Sequence, residues 1–361
     1  MKTMNTPKFL YYLLGIFLFL FSCSLEPKQK MKSELISVVD SSYTQIDLQP
    51  LEIVNFEEFL YPMDIITVDT FLVFQEKAYN SSSIFIYSTN NYLFIDSILR
   101  IGGGPNEIPG LFKILQYEVE ENEPVLWIRS ITPYMARLNL NHYKDNPYSL
   151  FDRKYSFESE ERFDIFAELS SYYNLDEDHF LFRKSLNNAG LFSKGIYTYY
   201  WEKYNYKTNT VTDTYYEYSY PKDKIEKYHL ATFPESALKP DKKKLALFPW
   251  GLENFSIMDL EKKTRKDILL DKKGFDIGYA ISRKEEIHLD VQATNDLIFS
   301  LRKNYQSGNS YLQVYDWDGI PKYEVNLDRE IRAFSIQEKT KRLYAIADES
   351  DVLVYDLGSI L

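Results

Sequence analysis

The chain has a single cysteine, Cys23, in 361 residues. Disulfides, thiolate zinc sites and cysteine nucleophiles are therefore excluded from the folded body. Histidine is almost as scarce: His142, His179, His229 and His288 are the only four, and no two are spaced like a metal motif. Glycine is limited to 13 positions, and no low-complexity tract occurs. Positive charge is in deficit, with 42 Lys and Arg against 53 Asp and Glu and a formal charge of −11. A net negative surface repels phosphate backbones, and no dense basic block offsets it, so nucleic acid is not an expected partner. A nucleophile elbow, an HExxH helix and a Ser-His-Asp set are all missing.

Long apolar runs are missing too. The longest, Phe9–Phe21, follows Lys2 and Lys8 and contains thirteen residues. As a helix it would be about 20 Å long, too short to span a bilayer, which needs roughly 20 residues. A basic start, an apolar run of this length and the small residue Ser22 describe an export signal over residues 1–22. The lone cysteine follows directly. Leu20-Phe21-Ser22-Cys23 resembles a bacterial lipobox, which implies a lipid on Cys23, membrane attachment and an outer-membrane, cell-envelope address. Residues 23–36, with Pro27 and several lysines, read as a flexible tether.

What is abundant is aromatic residues, 16% of the chain, with 31 Tyr and 24 Phe. Such residues suit pleated, half-buried surfaces and favour sheet. From Met63 onward short strand patterns dominate, grouped in fours, with Asp69-Thr70, Asn90-Asn91, Glu120–Pro124 and Lys207–Thr210 among the turns. The second strands begin near Phe71, Val125, His179, Lys244, Asp296 and Arg342, separated by 54, 54, 65, 52 and 46 residues. A four-stranded unit recurring at about 40–50 residues marks a β-propeller, so residues 37–361 are expected to form six blades. The sixth unit ends one strand short, and Ser37–Leu48 is expected to supply the missing strand and close the ring. In the fourth unit, Tyr228–Phe233 is the expected inner strand.

Two motifs carry a family resemblance. Lys239-Pro240-Asp241-Lys242-Lys243-Lys244-Leu245-Ala246 is similar to the "SPDGKKLA" turn of TolB-like propellers, with Lys239 and Lys242 replacing Ser and Gly. Ile101-Gly102-Gly103-Gly104-Pro105-Asn106-Glu107 looks like the "GxGPGE" joint of six-bladed, TolB-like propeller lipoproteins of Bacteroidetes. The resemblance implies the fold and the envelope address. Members of that family are mostly of unassigned function, so it implies no reaction, and it makes the lysines of the turn solvated residues.

The glycine joint is not a phosphate loop. A P-loop would need Gly-Lys-Ser/Thr, and position 107 of a dinucleotide loop would be Gly rather than Glu. It reads as the crossover from one blade to the next, with Asn106, Glu107 and free amides available to a ligand. His229 and His288 fall near the starts of innermost strands and are further ligand-binding candidates. Asp64, Asp164, Asp290 and Asn295 are the oxygens near inner strands, but no signature selects them as a calcium set. Asp316-Trp317-Asp318-Gly319 and Asp348-Glu349-Ser350-Asp351 read as turns. Alternation places Tyr197, Tyr199 and Trp201 on one face of a strand, and Tyr199 and Trp201 are candidates for an exposed platform that grips a glycan or peptide.

The expected molecule is an all-β, six-bladed propeller, monomeric, without cofactor, metal or catalytic residue assigned. It acts as a binding or scaffold module for a protein or glycan partner. The alternative is a hydrolase or lyase with its site in the central channel.

Overall fold

The computed structural model describes residues 31–39, 41–56, 61–78, 81–104, 106–108, 112–130, 134–146, 148–157, 172–187, 196–221, 234–276, 278–279, 282, 287–304, 307–347 and 351–361. The expected signal, residues 1–22, and Cys23 lie outside them.

Six antiparallel sheets follow one another along the chain. Blade 1 runs Pro62–Val68, Phe71–Ala78, Ser81–Ser88 and Phe94–Ile98, from the inner strand outward. Blade 2 is Phe112–Glu120, Glu123–Ser130, Tyr134–Asn139 and Arg153–Ser156. Blade 3 is Tyr172–Asn174, His179–Asn187, Ile196–Asn205 and Thr210–Pro221. Blade 4 is Pro234–Leu238, Lys244–Pro249, Asn254–Asp259 and Thr264–Leu269. Blade 5 is Asp290–Ala293, Leu297–Lys303, Ser310–Asp316 and Pro321–Leu327. Blade 6 contributes Ala333–Gln337, Arg342–Ile346 and Asp351–Asp356. The architecture is a six-bladed β-propeller.

The second strands are nearly unbroken apolar runs, such as Val125-Leu126-Trp127-Ile128 and Leu245-Ala246-Leu247-Phe248, all fully buried. A strand covered on both faces reads that way, because neither side of its pleat meets water. The covering material is the next blade. One hydrophobic cluster lies at each of the blade junctions 1–2, 5–6, 4–5, 6–1, 2–3 and 3–4. The core is thus a ring of inter-blade layers, and the 6–1 layer, with Phe56, Phe74, Tyr344 and Val354, closes it.

The ring is closed by an N-terminal strand, as expected, but a different one. Glu52–Asn55 pairs antiparallel with Asp351–Val354 and completes blade 6, and Asn55 Nδ2 donates to Asp351 Oδ1 at 3.0 Å. Thr44–Leu48, inside the stretch assigned to closure, instead lies parallel to Tyr323–Leu327 as a fifth strand of blade 5. Lys32–Ser37 does the same for blade 4, parallel to Thr264–Leu269. Within the stretch read as tether, Lys32–Ile36 thus lies in a strand, and residues 23–30 lie outside the described residues. The physical reason is edge pairing: an outer strand bares a row of amides and carbonyls that any extended polar segment can take up.

The fourth unit needs a second correction. Its inner strand is Pro234–Leu238, whereas Tyr228–Phe233 lies outside the described residues. The turn at Lys239–Lys244 fixes this, since Lys239 N donates to Lys244 O at 2.9 Å and the hairpin partner must immediately precede it. Pro234 opens the strand, where a missing amide costs least.

Candidate functional site

The six inner strands do not bond to one another through their backbones, so side chains bridge them. Gln75 spans blades 1 and 2, donating to Phe112 O at 2.6 Å and accepting from Ile114 N at 3.1 Å. Gln116 does the same between blades 2 and 3, with Asn174 O at 3.1 Å and Asn174 N at 2.7 Å. Tyr173 donates to Ser236 O at 2.7 Å between blades 3 and 4. Phe334 N donates to Asp290 Oδ2 at 3.2 Å between blades 5 and 6, and Thr67 N to Ser335 Oγ at 2.8 Å between blades 6 and 1. These bridges hold open a central channel of about 440 Å³, to which all six blades contribute lining. That volume suits a small ligand or the tip of a larger one.

Charge is concentrated in the channel. Near the starts of the inner strands stand Asp64 of blade 1, Lys113 of blade 2, Glu235 of blade 4 and Asp290 of blade 5. Burial raises the Asp64 carboxyl above its ordinary range; Lys113 opposes the shift and Glu235 adds to it. Burial lifts Asp290 further, reinforced by the negative charges of Asp64 and Glu235. Burial works against the Lys113 ammonium, but Glu235, Asp64 and Asp290 outweigh it and hold its pKa above the usual lysine value. One side of a low-dielectric site is thus acidic with a single internal cation.

The far rim is built differently. Lys242 reaches from the blade 4 turn to Glu118 of blade 2, at 3.0 Å, and to Asn174 of blade 3, at 3.4 Å. Glu118 also accepts from Trp127 Nε1 at 3.1 Å and Gln116 Nε2 at 3.0 Å. Burial and the neighbouring Glu120 push the Glu118 carboxyl up to about 7, with Lys242 pulling the other way. The lysines of this turn were expected to be solvated; Lys239 and Lys242 are instead partly buried in the channel wall. Lys242 takes a left-handed backbone, φ 61°, where the similar motif has glycine.

The residues singled out from sequence are not gathered here. Glu107 folds back into its own loop, its Oε2 accepting Gly104 N at 2.8 Å, while Arg100–Ile101 pairs in parallel with Glu107–Ile108. Asn106 accepts Leu150 N at 3.0 Å and pins the loop to blade 2. Neither lines the channel. His288 is fully buried behind the wall, with Nδ1 2.8 Å from Ser300 Oγ and the Phe248 ring 5.0 Å away. Burial, then the charge of Arg302, drive its pKa well below 6.5, so it is a neutral core residue. His229 and Asp164 lie outside the described residues. Asn295 is exposed at the rim.

The aromatic platform needs the plainest correction. Trp201 is fully buried and Tyr199 nearly so. Trp201 packs with Tyr173, Tyr215 and Met258 against blade 4, while Tyr204 and Tyr206 pack against Trp127 and Tyr155 of blade 2. In a propeller, alternation does not generate a solvent face, because both faces of a blade meet neighbours. Inside blade 3, Trp201 Nε1 donates to Glu217 at 3.1 Å, and Arg183 grips the same carboxylate through two 2.8 Å bonds beneath the Tyr199 ring.

Asp64 and Asp290 were visible as oxygens near inner strands. Lys113 and Glu235 were not, since nothing local distinguishes them from surface charges. Among the described residues, no group of three or more His, Cys, Asp or Glu is placed to hold a metal ion.

No family model matches the chain, and no curated protein matches it. Among solved structures, it is similar to the β-propeller domain of Cps50 (Swd1) from Myceliophteria thermophila, at 8% identity and a TM-score of 0.48, over 86% of this chain and 99% of that one. The fold assignment rests on the sheet order and blade junctions described above.

Proposed function

We propose that this chain is an exported, lipid-anchored propeller of the TolB-like lipoprotein kind, serving as a binding module for a protein or glycan partner in the cell envelope. The observation that supports it is the charged central channel, lined by all six blades and large enough to admit a ligand group. A lipid on Cys23 sets the geometry of display. Eight residues, and so nine Cα–Cα steps, separate Cys23 from Lys32, the first residue of the strand on blade 4. Fully extended they reach about 30 Å, so the outer edge of blade 4 stays close to the bilayer while the channel remains free.

The acidic lining supplied by Asp64, Glu235 and Asp290 favours one second reading, a hydrolase or lyase with its site in the channel, in which Asp290, its pKa raised by burial, is the candidate general acid.

Two measurements test the proposal. Detergent phase partitioning of the full chain should place the wild type in the detergent phase and Cys23→Ser in the aqueous phase; equal partitioning removes the anchor. A photo-reactive residue at position 339, on the channel rim, should crosslink a partner in intact cells, and one at position 35, on the outer edge, should not. Absence of an adduct at 339, or equal adducts at both positions, overturns the binding site.

A further inference from the structure

The bridges between inner strands described above join neighbouring blades. The inner strand of blade 2 reaches farther. Its pairing with the second strand shifts register between Ile114 and Gln116, a bulge of the kind that re-aims the side chains after it. Beyond the bulge, the Tyr117 hydroxyl donates to Gln292 Oε1 of blade 5, on the opposite side of the ring. Glu118 comes next, and Lys242 Nζ of the blade 4 turn lies 3.0 Å from each of its two carboxylate oxygens. Blade 3 stands between those two blades, and its inner strand, Tyr172–Asn174, has only three residues. Lys242 passes over the end of that strand, 3.4 Å from Asn174 Oδ1. Glu118 and Lys242 both line the channel, so their tie is a chord across one of its mouths.

The two halves of the tie are built differently. Glu118 is fixed by Trp127 Nε1 at 3.1 Å and Gln116 Nε2 at 3.0 Å, both on its own blade. Lys242 sits at the tip of a turn whose Pro240 and Asp241 are exposed, so it is the half that can leave. Its backbone is left-handed, φ 61°, a conformation glycine adopts without cost, and a lysine there keeps a side chain at the expense of the easier backbone. The surrounding charges leave the pair to itself. In the turn, Lys239 and Asp241 compensate each other at 2.8 Å. On the strand, Glu120 lies 3.9 Å from Lys242 but pairs with Arg137 at 2.8 Å, and Arg137 also holds Asp152. On the opposite rim, Lys339 pairs with Asp69 at 3.5 Å. Lys242 is thus the cation that faces Glu118, and Glu120 is the acid that faces it.

We propose that the Lys242–Glu118 tie is a proton-operated latch on this mouth of the channel, closed while Glu118 is ionised and released when Glu118 takes up a proton. Protonation removes the charge that holds Lys242 and leaves a carboxyl able to hydrogen-bond Glu120 beside it. Burial, opposed by Lys242 and assisted by Glu120, sets the Glu118 carboxyl at about 7, so the latch works near neutrality rather than in strong acid. Below that pH the ion pair is lost and the turn of blade 4 is freed from blade 2; above it the chord is restored. The latch concerns access to the channel and goes beyond the binding-module reading.

A distance measurement tests it. Glu121→Cys and Lys243→Cys, both exposed and in the turns that flank the tie, carry spin labels in the full chain in detergent, with Cys23→Ser so that no other thiol is present. Pulsed dipolar spectroscopy should find one narrow distance at pH 8 and a longer, broader distribution at pH 6. The ratio of released to closed molecules should change by a factor approaching about ten per pH unit around pH 7, the dependence for one group. Glu118→Gln, neutral at every pH, should show the released distribution at both. Lys242→Gly should do the same on a backbone that suits glycine, and it keeps the test decisive if Glu118→Gln does not fold. The same distribution at pH 6 and pH 8 in the labelled parent, or a pH-dependent change that survives in Lys242→Gly, overturns the latch. A crosslink from position 339 with no pH-dependent distance removes the latch alone; a pH-dependent distance with no crosslink leaves the latch and removes the binding-module reading.

Discussion

A Cβ on Gly102 would fall on the Glu107 carboxylate, which occupies the concave side of the glycine loop and accepts Gly104 N at 2.8 Å. Glycine there leaves room for its neighbour's side chain rather than serving a left-handed backbone, since Gly102 is not among the positive-φ glycines. Gly102→Ala should expel the Glu107 side chain and cost about 1–2 kcal/mol, the net worth of a hydrogen bond to a charged acceptor. Glu107→Ala should cost about the same, and the double variant no more than either alone, because both changes remove one interaction. Urea unfolding of the four proteins decides it; additive losses would mean that the loop is held by something else. His288 carries the second prediction at this scale. Its folded pKa lies well below 6.5, so the unfolded chain takes up a proton that the native state refuses. Stability should therefore fall as pH drops below about 6.5, with a slope approaching 1.4 kcal/mol per pH unit for one group. His288→Gln should flatten the curve between about pH 6 and pH 5 whatever it does to absolute stability. An unchanged slope would show that His288 is protonated in the native state. Asp290 acts in the opposite sense. Its raised pKa adds stability at low pH that is lost as pH climbs through the folded value.

At the scale of elements, the six units could be read from the sequence because their second and third strands are short apolar runs bounded by turn residues. Asp316-Trp317-Asp318-Gly319 shows how local that signal is. Asp316 Oδ1 accepts both Asp318 N and Ile320 N at 2.9 Å, and Gly319 takes the left-handed backbone, φ 83°, so four residues specify the hairpin. Apart from the inner strand of blade 4, the misplaced elements are the ones whose partners are remote. Lys32–Ser37, Thr44–Leu48 and Glu52–Asn55 are largely exposed and polar, and each pairs with a strand more than two hundred residues away. Their periodicity does not say which edge they join. Tyr199 and Trp201 failed for a related reason: strand alternation is visible in sequence, but whether the second face meets water depends on the neighbouring blade. The channel site was the least legible. Lys113 and Glu235 are unremarkable alone and acquire meaning only when ring closure brings them opposite Asp64 and Asp290.

Across the whole molecule, the segment from Lys32 to Phe56 works as a strap. It adds an outer strand to blade 4, then blade 5, then completes blade 6, before Phe56 enters the 6–1 layer and the chain turns into blade 1. The three contacts are unequal. The first two strands are fifth strands on blades already complete, and among the described residues blades 1, 2 and 3 have none. The third is the fourth strand of blade 6, and Val54 packs against the 6–1 layer with Phe56 beside it. Removing residues before Ser41 should therefore lower stability modestly, by about 1–2 kcal/mol, through loss of edge bonds and a few half-buried side chains. Removing everything before Pro62 strips the closing strand and the buried Phe56, a loss on the scale of a Phe-to-Ala core change, about 3–5 kcal/mol, plus the edge bonds. Because the layers form a ring, opening one junction also exposes its neighbour's edge. The longer deletion should unfold with a shallower denaturant slope as well as a lower midpoint, a sign that the 6–1 junction has already come apart in the native state. Equal effects from the two deletions, both small, would show that blade 6 is held by its own three strands and that the strap is an accessory. A steep loss already on deleting the first strand would place the critical closure at blade 4 instead.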